Sequence, residues 1–519
     1  MTEVPSSAPP VRPPFWLVPL ALLCVIPFLG KAPVLDEESY LWIGAHLNAA
    51  RPYDWLRIWQ PYDADDSFIY AHPPLYLWWM AGIHAVSSTV WIERLLCAVP
   101  FVSLYAWAVA IWAARSCRHP GLAAGVWLAS STVQLGLQDS LMIDLPAVAF
   151  VTMGLAMYRT GLDGTGMGRA GAWLGLAMAT KYSMAMVCVP VVLHAVVYGR
   201  GRAKLWALVI PMVVIPCLVE GAVYGLYGRV HVWEVWAHRG DIVAGPLDGR
   251  LLGTFARLAL LPLPIVLILR PGLFVGGAVL GLAVLGAVGS GGLSPGEIGG
   301  LAVSVALGGG ILARSVAGLA GRDGSLLGGV VLCVIAGVAF GHNYASARYL
   351  LPAAAPLAIL LTRSAEAVRG GRWLLQAAIL VSGALALAVS IADFRFARAS
   401  AEVADHAIGR LRGQDLPAVR FAGEWSFRYT LEDHRITRYR PGEVLPEGAM
   451  VVVAGWSSPG EFPRERWEPR DHVESTDRFP LRVMGTDISL YAETLGILPL
   501  GFSDEPLESA TIYRVGPGG

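Results

Sequence analysis

The feature that most constrains this sequence is the uneven distribution of its charges. Of the first 393 residues 44 are Asp, Glu, Lys or Arg, whereas the last 126 residues contain 34. Soluble domains carry about 25% charged residues, and long apolar runs with few charges are typical of helices in lipid. The sequence therefore predicts a membrane-embedded region followed by a water-soluble domain. The net charge of zero gives no reason to expect nucleic-acid binding.

Thirteen apolar segments of the first region are predicted to be transmembrane helices, although several are short. The first lacks a small-x-small cleavage site, so we expect an uncleaved span rather than a signal peptide. The segments cover about residues 15–30, 95–114, 121–138, 145–158, 170–181, 183–198, 205–226, 251–269, 272–292, 298–313, 325–341, 349–362 and 373–392.

The loop after the first span is rich in Trp, Tyr and Asp, which is not typical of a plain connector. SYLWIGAHLNA and YDWLRIWQPY are predicted to be short interfacial helices with their aromatic faces at the level of the headgroups. PPLYLWWMAGIHA, residues 73–85, is either a short span or another interfacial helix. The interfacial alternative is favoured because it preserves the alternation of basic loops.

The basic residues predict the orientation of the chain. If the N-terminus is cytoplasmic, the exit of every even-numbered span is basic, as cytoplasmic loops generally are. An odd number of spans then leaves the C-terminal domain outside the cytoplasm, in a multi-pass protein of the plasma (inner) membrane. The cytoplasmic connections contain Arg115, Arg118, Arg159, Arg169, Arg200, Arg202, Lys204, Arg270, Arg314, Arg322, Arg363, Arg369 and Arg372.

Acidic residues are concentrated on the opposite side. Asp36, Glu37 and Glu38 follow the first span, and Asp139 and Asp144 occur in the loop between the third and fourth spans. The three consecutive acids would also be explained as a solvated cap at a membrane exit. Asp144, two residues before a proline, would also be explained as a helix N-cap.

Three basic residues are expected on the same side as these acids. His72 begins the HPPLY motif, Arg94 begins the second span, and Lys181 interrupts the apolar run GLAMATKYSMAMVCV. A lysine within such a run costs a few kcal/mol unless it reaches an interface or an anion. If the run is two short spans that meet at an outer turn, Lys181 lies on the same face as the acids.

Five motifs in the order LDEESY, HPPLY, ERLLCAVP, MIDLPAVAF and GLAMATKYS resemble those of the GT-C membrane glycosyltransferases. The chain is most similar to the protein O-mannosyltransferases and the lipid A aminoarabinose transferases, which use sugars linked to polyprenyl phosphate. The resemblance covers about residues 15–205 and is weaker beyond, although ARYLLPAAAPLAIL at 347–360 resembles a late span of these proteins.

The resemblance implies a GT-C fold of about 13 transmembrane helices with a C-terminal extracytoplasmic α/β domain. The implied domains are a cytoplasmic tail at 1–14, a transmembrane catalytic domain at 15–393 whose outer loop 31–94 carries the active-site acids, and a soluble domain at 394–519. The implied activity is transfer of a single sugar from a polyprenyl-phosphate donor in the bilayer to an envelope acceptor, which is a lipid, a glycan or a protein.

The resemblance also implies roles for individual residues. Asp36 matches the catalytic carboxylate of the family, with Glu37 beside it, and Asp144 matches the acid of the second loop. The third acid, Glu38, departs from the family's pattern and leaves open which of the three carboxylates is the catalytic one. The expected substrate-binding residues are His72, Arg94, Asp139, Lys181, Tyr182, His342, Arg348 and Tyr349.

The chemistry of such a transfer agrees with these residue types. Departure of a phosphate requires fixed cations, which Lys181, Arg94, His72 and Arg348 would supply. A carboxylate within hydrogen-bond reach can accept the proton of the acceptor, and a single displacement would invert the anomeric centre. The sequence has no Gly-rich P-loop and no GxGxxG motif after a strand, which argues against a nucleotide site.

A metal ion is the main open question about cofactors. Acids from two loops offer the oxygen ligands that divalent cations prefer, and oligosaccharyl-transferring relatives use such an ion. Mannosyltransferase-like members generally do not, and this sequence already supplies cations for a monophosphate donor. We therefore expect no metal and no cofactor, with a divalent cation as the less favoured alternative.

The remaining outer segments are less informative. GRVHVWEVWAHRGDIVAGPLDGR either contacts a substrate or is an interfacial helix, and the second is favoured. Glu220, inside a span, is expected to pair with another polar group in a structural role.

The tail is predicted to be β-rich, with strands in AVRFAGEWSFRYTL, AMVVVAGW, LRVMGTDISLYAE and ATIYRV after the helical stretch FARASAEVADHAIGRL.

Two other functions remain open at the level of sequence. A transporter or flippase for a lipid-linked sugar would require broken helices with polar residues near the midplane and an internal repeat. A transferase of whole lipid-linked oligosaccharides would require a more extensive acidic metal site. The sequence does not identify the sugar, the acceptor or the oligomeric state.

Overall fold

A computed structural model describes residues 12–46, 72–199, 201–228, 230–238, 246–261, 279, 286, 295–440, 442–460, 462–463 and 466–516. The predicted interfacial helix YDWLRIWQPY and nearly all of the predicted span 272–292 lie outside these residues. So do Arg239 and Asp241 of the outer segment between the predicted spans at 205–226 and 251–269.

Helices form most of the described chain. In chain order they are α1 Leu17–Val25, α2 Glu37–His46, α3 Leu75–Val86, α4 Val90–Ser116, α5 Pro120–Leu128, α6 Ser131–Gln138, α7 Asp144–Asp163, α8 Met167–Thr180, α9 Ala185–Tyr198, α10 Arg202–Tyr227, α11 His231–His238, α12 Leu247–Leu258, α13 Pro295–Ala317, α14 Arg322–Ala336, α15 Leu351–Glu366, α16 Gly371–Arg410 and α17 Trp425–Asp433.

The predicted class, a polytopic helical membrane protein with a C-terminal α/β domain, is confirmed. Within the described ranges, six helices are long and apolar enough to cross a bilayer. Shorter apolar helices at Leu17–Phe28, Leu75–Val86 and Tyr182–Tyr198 accompany them. The number of about thirteen spans stays a prediction, because the described residues do not cover every segment.

One predicted span is interrupted. The segment 121–138 was expected to be a single helix, but α5 ends at Leu128 and α6 begins at Ser131. The Ser130 hydroxyl accepts a hydrogen bond from the backbone N–H of Val133 at 3.4 Å and caps α6. Hydroxyl side chains compete with the helical hydrogen-bond ladder in this way, so the Ser-Ser-Thr run allows the chain to turn inside an apolar segment.

Glycines set the distance between α8 and α10. A Cβ atom on Gly171 would lie 2.0 Å from the carbonyl oxygen of Leu208, and one on Gly175 would lie 2.8 Å from that of Pro211. Small residues allow helix backbones to approach closely in lipid. Because α8 ends at Thr180, this contact fixes the position of the next residue, Lys181.

The helix α16 joins the membrane region to the soluble domain. It runs without a break for 40 residues and crosses the predicted domain boundary at 393/394. Its last turns supply Val403, Ala404 and Ala407 to the core of the soluble domain, where they pack with residues such as Phe421 and Val452. The predicted span 373–392 and the predicted helix after it are therefore one element.

The soluble domain is built on a mixed five-stranded sheet. The order is β2-β1-β3-β9-β4, in which β1 is parallel to β2 and β3, and β9 is antiparallel to β3 and β4. The strands are β1 Arg420–Ala422, β2 Thr437–Arg438, β3 Met450–Ala454, β4 Trp467–Glu474, β5 Leu481–Arg482, β6 Met484–Gly485, β7 Ile488–Ser489, β8 Gly501–Phe502 and β9 Ser509–Val515.

The predicted strand in AVRFAGEWSFRYTL is wrong over its second half. Residues 420–422 form β1, but Trp425–Asp433 form α17. The alternation of apolar and polar residues favoured a strand. The structure instead buries Phe427 and Leu431, four residues apart, in the core beneath the sheet, which is helical spacing.

Hydrogen bonds hold the soluble domain against one end of the helical region. The Ser426 hydroxyl donates to the carbonyl oxygen of Pro33 at 2.5 Å. The Arg257 guanidinium donates to the carbonyl oxygens of Ser489 at 2.5 Å and Gly496 at 2.9 Å. The docked domain therefore covers the end of the helices at which the predicted acids and cations lie.

Candidate active site

The start of α2 and the turn that precedes α15 bring together an acid and a base that are 312 residues apart in sequence. A guanidinium nitrogen of Arg348 lies 3.0 Å from a carboxylate oxygen of Asp36. The Asp36 side chain is 45% exposed and that of Arg348 is 14% exposed. Asp36 therefore presents an accessible carboxylate whose orientation is set by a largely buried cation.

A second pair lies beside the first. Lys181, in extended backbone conformation after α8, donates to a carboxylate oxygen of Asp144 at 2.6 Å, and both side chains are buried. The other carboxylate oxygen of Asp144 is also buried and accepts no hydrogen bond from a described residue. The two predicted short spans do meet at this turn, because α8 ends at Thr180 and α9 begins at Ala185.

Aromatic side chains connect the two pairs. The ammonium group of Lys181 lies 4.8 Å from the ring centroid of Tyr349, and the guanidinium of Arg348 lies 5.1 Å from the same centroid. The Tyr344 hydroxyl accepts hydrogen bonds from Arg348 at 2.9 Å and from the Tyr349 hydroxyl at 2.7 Å. The His342 ring stacks on Tyr349 at 4.1 Å. We call Asp36, Asp144, Lys181, Tyr344, Arg348 and Tyr349 the cation cluster.

His72 lies beside the cation cluster, where its charged form is disfavoured. Loss of solvation, together with the positive charges of Lys181 and Arg348, holds the pKa of His72 well below its usual range. The charged form of the imidazole is therefore disfavoured while no anion is bound. His72 was expected to be one of the cations that stabilise the departing phosphate, and this role stays a prediction.

Tyr182 faces a separate polar group. Its hydroxyl donates to a carboxylate oxygen of Glu220 and lies 2.6 Å from Nδ1 of His231. The second carboxylate oxygen of Glu220 accepts from the backbone N–H of Val232 at 3.2 Å, at the start of α11. Glu220 therefore has the structural pairing that was expected of it, and α11 carries Trp233 and Trp236 on its exposed face.

The three consecutive acids have different surroundings. Glu37 is fully buried, lies 2.6 Å from Arg94 and accepts from the backbone N–H of Val34. Glu38 is buried and lies 4.0 Å from Arg428 of α17, and burial raises its pKa well above the usual range. Among the three, only Asp36 combines an exposed carboxylate with a place in the cation cluster.

Arg94 was expected to contact the phosphate of the donor, and in the structure it contacts other residues of the protein. Its side chain is fully buried, and besides pairing with Glu37 it donates to the carbonyl oxygens of Phe28 and Ala32 at 3.4 Å. These are the last turn of the first span and the residues that follow it. In the structure, Arg94 therefore positions the chain that leads to Asp36 and presents no open face to a ligand.

Asp139 belongs to a buried network around Lys31. The ammonium group of Lys31 lies 2.5 Å from a carboxylate oxygen of Asp139 and also donates to Asp393 of α16, whose other oxygen accepts from the Tyr491 hydroxyl. Burial, opposed by Lys31, raises the pKa of Asp139 to about 7. We call Lys31, Asp139, Asp393 and Tyr491 the Lys31 network.

A small cavity connects the Lys31 network with the cation cluster. Its volume is about 30 Å³, enough for a water molecule. Asp139 and Tyr491 line one part, and Asp144 and Arg348 line another. The acids of the second loop are therefore divided between two neighbouring groups.

The acids of these groups contact cations of the protein. Within the ranges that the structure covers, no three His, Cys, Asp or Glu side chains come together as a metal site would require. Asp36 and Asp144 each contact a cation of the protein instead. The expected absence of a metal and of a cofactor stays a prediction.

Several residues of these groups were not singled out from the sequence. Tyr344 lies between His342 and Arg348, two of the residues expected to bind substrate. Lys31 is one of three lysines and directly follows the first span, and Asp393 stands at the end of the last one. A charge at the end of an apolar run can be recognised in the sequence. The residue with which it pairs cannot be predicted, since Lys31 and Asp393 are 362 residues apart.

Comparison with known proteins gives a weak structural likeness. No family model matches the chain, and no curated protein matches it. Two solved structures match the chain, and both are of ArnT from Cupriavidus metallidurans. The structure bound to undecaprenyl phosphate is 14% identical, has a TM-score of 0.47 and covers 85% of this chain and 92% of its own. The structure of the apo form is 16% identical, has a TM-score of 0.43 and covers 84% of this chain and 92% of its own. At this identity and TM-score, the function of this chain must be inferred from its own side chains.

Proposed function

We propose that this chain is an inverting glycosyltransferase. It moves a single sugar from a polyprenyl-phosphate donor to an envelope acceptor at the outer face of the membrane, with Asp36 as general base. The observation that carries the proposal is the 3.0 Å contact of a half-exposed Asp36 carboxylate with Arg348. The five motifs that resemble polyprenyl-phosphate-dependent transferases support the choice of donor.

The cation cluster fits the leaving group of this reaction. Lys181 and Arg348 lie on the same aromatic ring, so a phosphate that binds between them meets two positive charges. Guanidinium groups bind phosphate oxygens in pairs, whereas an ammonium group acts as a compact point charge. Both cations are held by carboxylates before the donor arrives, so little reorganisation is needed when negative charge develops.

The proposed reaction is a single displacement at the anomeric carbon. The acceptor hydroxyl or amine attacks the anomeric carbon and passes its proton to Asp36, as general bases do within hydrogen-bond reach. The bond between the anomeric carbon and the phosphate oxygen breaks, and polyprenyl phosphate leaves with the electron pair. A single displacement from the opposite face inverts the configuration at that carbon.

Donor binding is expected to raise the pKa of His72. The pKa of this imidazole is low because burial and two neighbouring cations disfavour its charged form. A bound phosphate brings negative charge and raises that pKa. Binding of the donor therefore favours the charged form of His72, which has two N–H groups that can donate to the phosphate.

A transfer assay tests the proposal. Purified protein in nanodiscs is incubated with radiolabelled undecaprenyl-phosphate pentoses and hexoses, with cell-envelope extract as acceptor. We expect sugar-dependent release of undecaprenyl phosphate for one member of the panel. Asp36→Asn should lower the rate by about 100-fold or more, and Asp405→Asn, on the exposed side of α16, should not.

A flippase would give a different result. It would carry the intact lipid-linked sugar across the bilayer without releasing polyprenyl phosphate, and Asp36→Asn would leave the donor uncleaved as in the wild type.

The proposed orientation is tested separately, by fusing alkaline phosphatase after residue 516 and in the loop 367–370. Activity of the first fusion alone supports an extracytoplasmic C-terminal domain.

A further inference from the structure

A groove lies between α16 and the segment that follows β4, away from the cation cluster. Its volume is about 720 Å³, and Phe394, Arg395 and Arg398 of α16 line it together with Arg478 and Phe479. The three arginine side chains are exposed. The groove therefore combines basic groups with aromatic surface just above the apolar part of α16.

One face of α16 leads from lipid to this groove. Leu380 and Leu387 are exposed, and Ile391, Phe394 and Arg398 continue the same face at spacings of four, three and four residues. The face is apolar up to Phe394 and basic directly after it. A phospholipid has the same order along its length, since apolar chains end in a charged headgroup.

The opposite face of α16 belongs to the protein interior. Asp393, Phe396 and Ala397 are buried, and Asp393 takes part in the Lys31 network. Since these residues lie about half a turn away from Ile391, Arg395 and Arg398, the groove and the candidate active site are on different sides of the helix.

The charges of the groove leave one arginine uncommitted. Arg395 lies 3.0 Å from Asp477 and stacks over Phe479 at 5.0 Å. Arg478 donates to the carbonyl oxygen of Asp504 at 3.1 Å and lies 3.7 Å from Glu474. Arg398 makes no hydrogen bond or ion pair with any residue that the structure describes. Glu402, one turn above Arg398, bounds the groove on the side away from the membrane.

We propose that this groove binds the phosphate-bearing headgroup of an anionic phospholipid from the outer leaflet. Arg398 and Arg478 contact the phosphate, and the acyl chains follow the apolar face of α16 through Ile391 and Leu387. Basic side chains at the headgroup level each contribute about 1 kcal/mol to such binding, which is roughly a fivefold change in affinity. The lipid would hold the junction of α16 and the soluble domain at a fixed depth.

Native mass spectrometry of the full chain released from nanodiscs tests this site. Discs contain either phosphatidylglycerol or phosphatidylcholine, and the variants are the double variant Arg398→Glu/Arg478→Glu and the control Arg410→Glu, on the same helix but about 18 Å farther from the membrane. We expect wild type and Arg410→Glu to retain one phosphatidylglycerol molecule. The double variant should bind this lipid at least about 25-fold more weakly.

Two outcomes would overturn the proposal. Equal retention of phosphatidylcholine and phosphatidylglycerol by the wild type would show that the groove does not recognise an anionic headgroup. Retention of inorganic phosphate in phosphatidylcholine discs, lost in the double variant, would assign the groove to a free anion instead. Sugar transfer by the double variant is measured in parallel, so that loss of lipid binding is distinguished from loss of the proposed activity.

Discussion

At the scale of single residues, Asp36, Glu37 and Glu38 show how backbone geometry divides three adjacent acids among three tasks. Asp36 is half exposed beside Arg348, Glu37 is buried against Arg94, and Glu38 is buried near Arg428. The sequence predicted that this cluster contains the catalytic carboxylate, and it left open which acid leads. The three acids differ in the exposed fraction of the side chain and in the basic residue that each contacts. Neither property can be predicted from three consecutive acids in the sequence.

Glu37 and Glu38 are expected to respond differently to the same change. Glu37→Gln leaves the Arg94 guanidinium buried without a counter-charge and should destabilise the protein by about 3–5 kcal/mol. Glu38→Gln should change stability by less than about 1 kcal/mol, because burial already raises the pKa of Glu38 and favours its neutral form. Thermal unfolding in one detergent at pH 7 compares the variants, and equal losses would contradict these assignments.

The Lys181–Asp144 pair is expected to serve stability and donor binding separately. Lys181→Met leaves the Asp144 carboxylate buried without its cation, which should cost about 3–5 kcal/mol. The double variant Lys181→Met/Asp144→Leu should recover most of that stability, since apolar residues of similar volume often replace buried pairs without loss.

Donor affinity distinguishes the two tasks of this pair. The double variant should still bind a polyprenyl-phosphate sugar at least about tenfold more weakly than the wild type, because the phosphate has lost one of its cations. Titration of the purified proteins with donor checks this. Recovery of affinity together with stability would show that Lys181 has only a structural role.

At the scale of elements, α8 shows that the position of Lys181 depends on packing ten residues away. Gly171→Ala places a methyl group against the carbonyl oxygen of Leu208, so α8 must move away from α10. We expect lower thermal stability and a lower rate of transfer, even though alanine favours helix by about 1 kcal/mol over glycine. Gly221→Ala, on α10, meets nothing within 4 Å and should be neutral or stabilising. Equal effects of the two would contradict the proposed contact.

The elements were largely predictable where apolar runs were long and less so where local chemistry competed. The helices at 95–114, 145–158 and 205–226 correspond to α4, α7 and α10. The break at Ser130 and the helix at Trp425–Asp433 were missed, since a serine cap and a buried helical face leave only short signals. The uninterrupted course of α16 was missed because composition changes along it while the backbone does not.

At the scale of the whole molecule, the Lys31 network ties the first span to the junction with the soluble domain. Lys31 follows the first span, Asp139 follows α6, Asp393 lies in α16, and Tyr491 comes from the soluble domain. Composition predicted the two regions and their order. It could not predict this connection, since the partners are brought together only by the complete fold.

The Lys31 network is expected to give stability a pH dependence of definite sign. The pKa of Asp139 is raised to about 7 from a usual value of 3.8, so between these values the folded state binds more protons than the unfolded state. Stability from this group is therefore present at low pH and decreases as the pH rises towards 7, by up to about 1.4 kcal/mol per pH unit.

Asp139→Asn removes that titration while keeping a neutral side chain of similar shape. Unfolding temperatures measured from pH 5 to pH 8 should show the variant gaining on the wild type as the pH rises. Asp415→Asn, exposed on the soluble domain, should differ from the wild type by the same amount throughout. A constant difference for Asp139→Asn as well would mean that Asp139 stays ionised over this range.

The most direct test of the central claim separates donor binding from turnover in Asp36→Asn. The proposal makes Asp36 a base that acts on the acceptor, whereas the donor phosphate is held by Lys181 and Arg348. Binding of the polyprenyl-phosphate sugar by Asp36→Asn should stay within about threefold of the wild type, while single-turnover transfer falls by about 100-fold or more. Transfer within a few-fold of the wild-type rate at saturating donor would contradict the assignment of Asp36 as the general base.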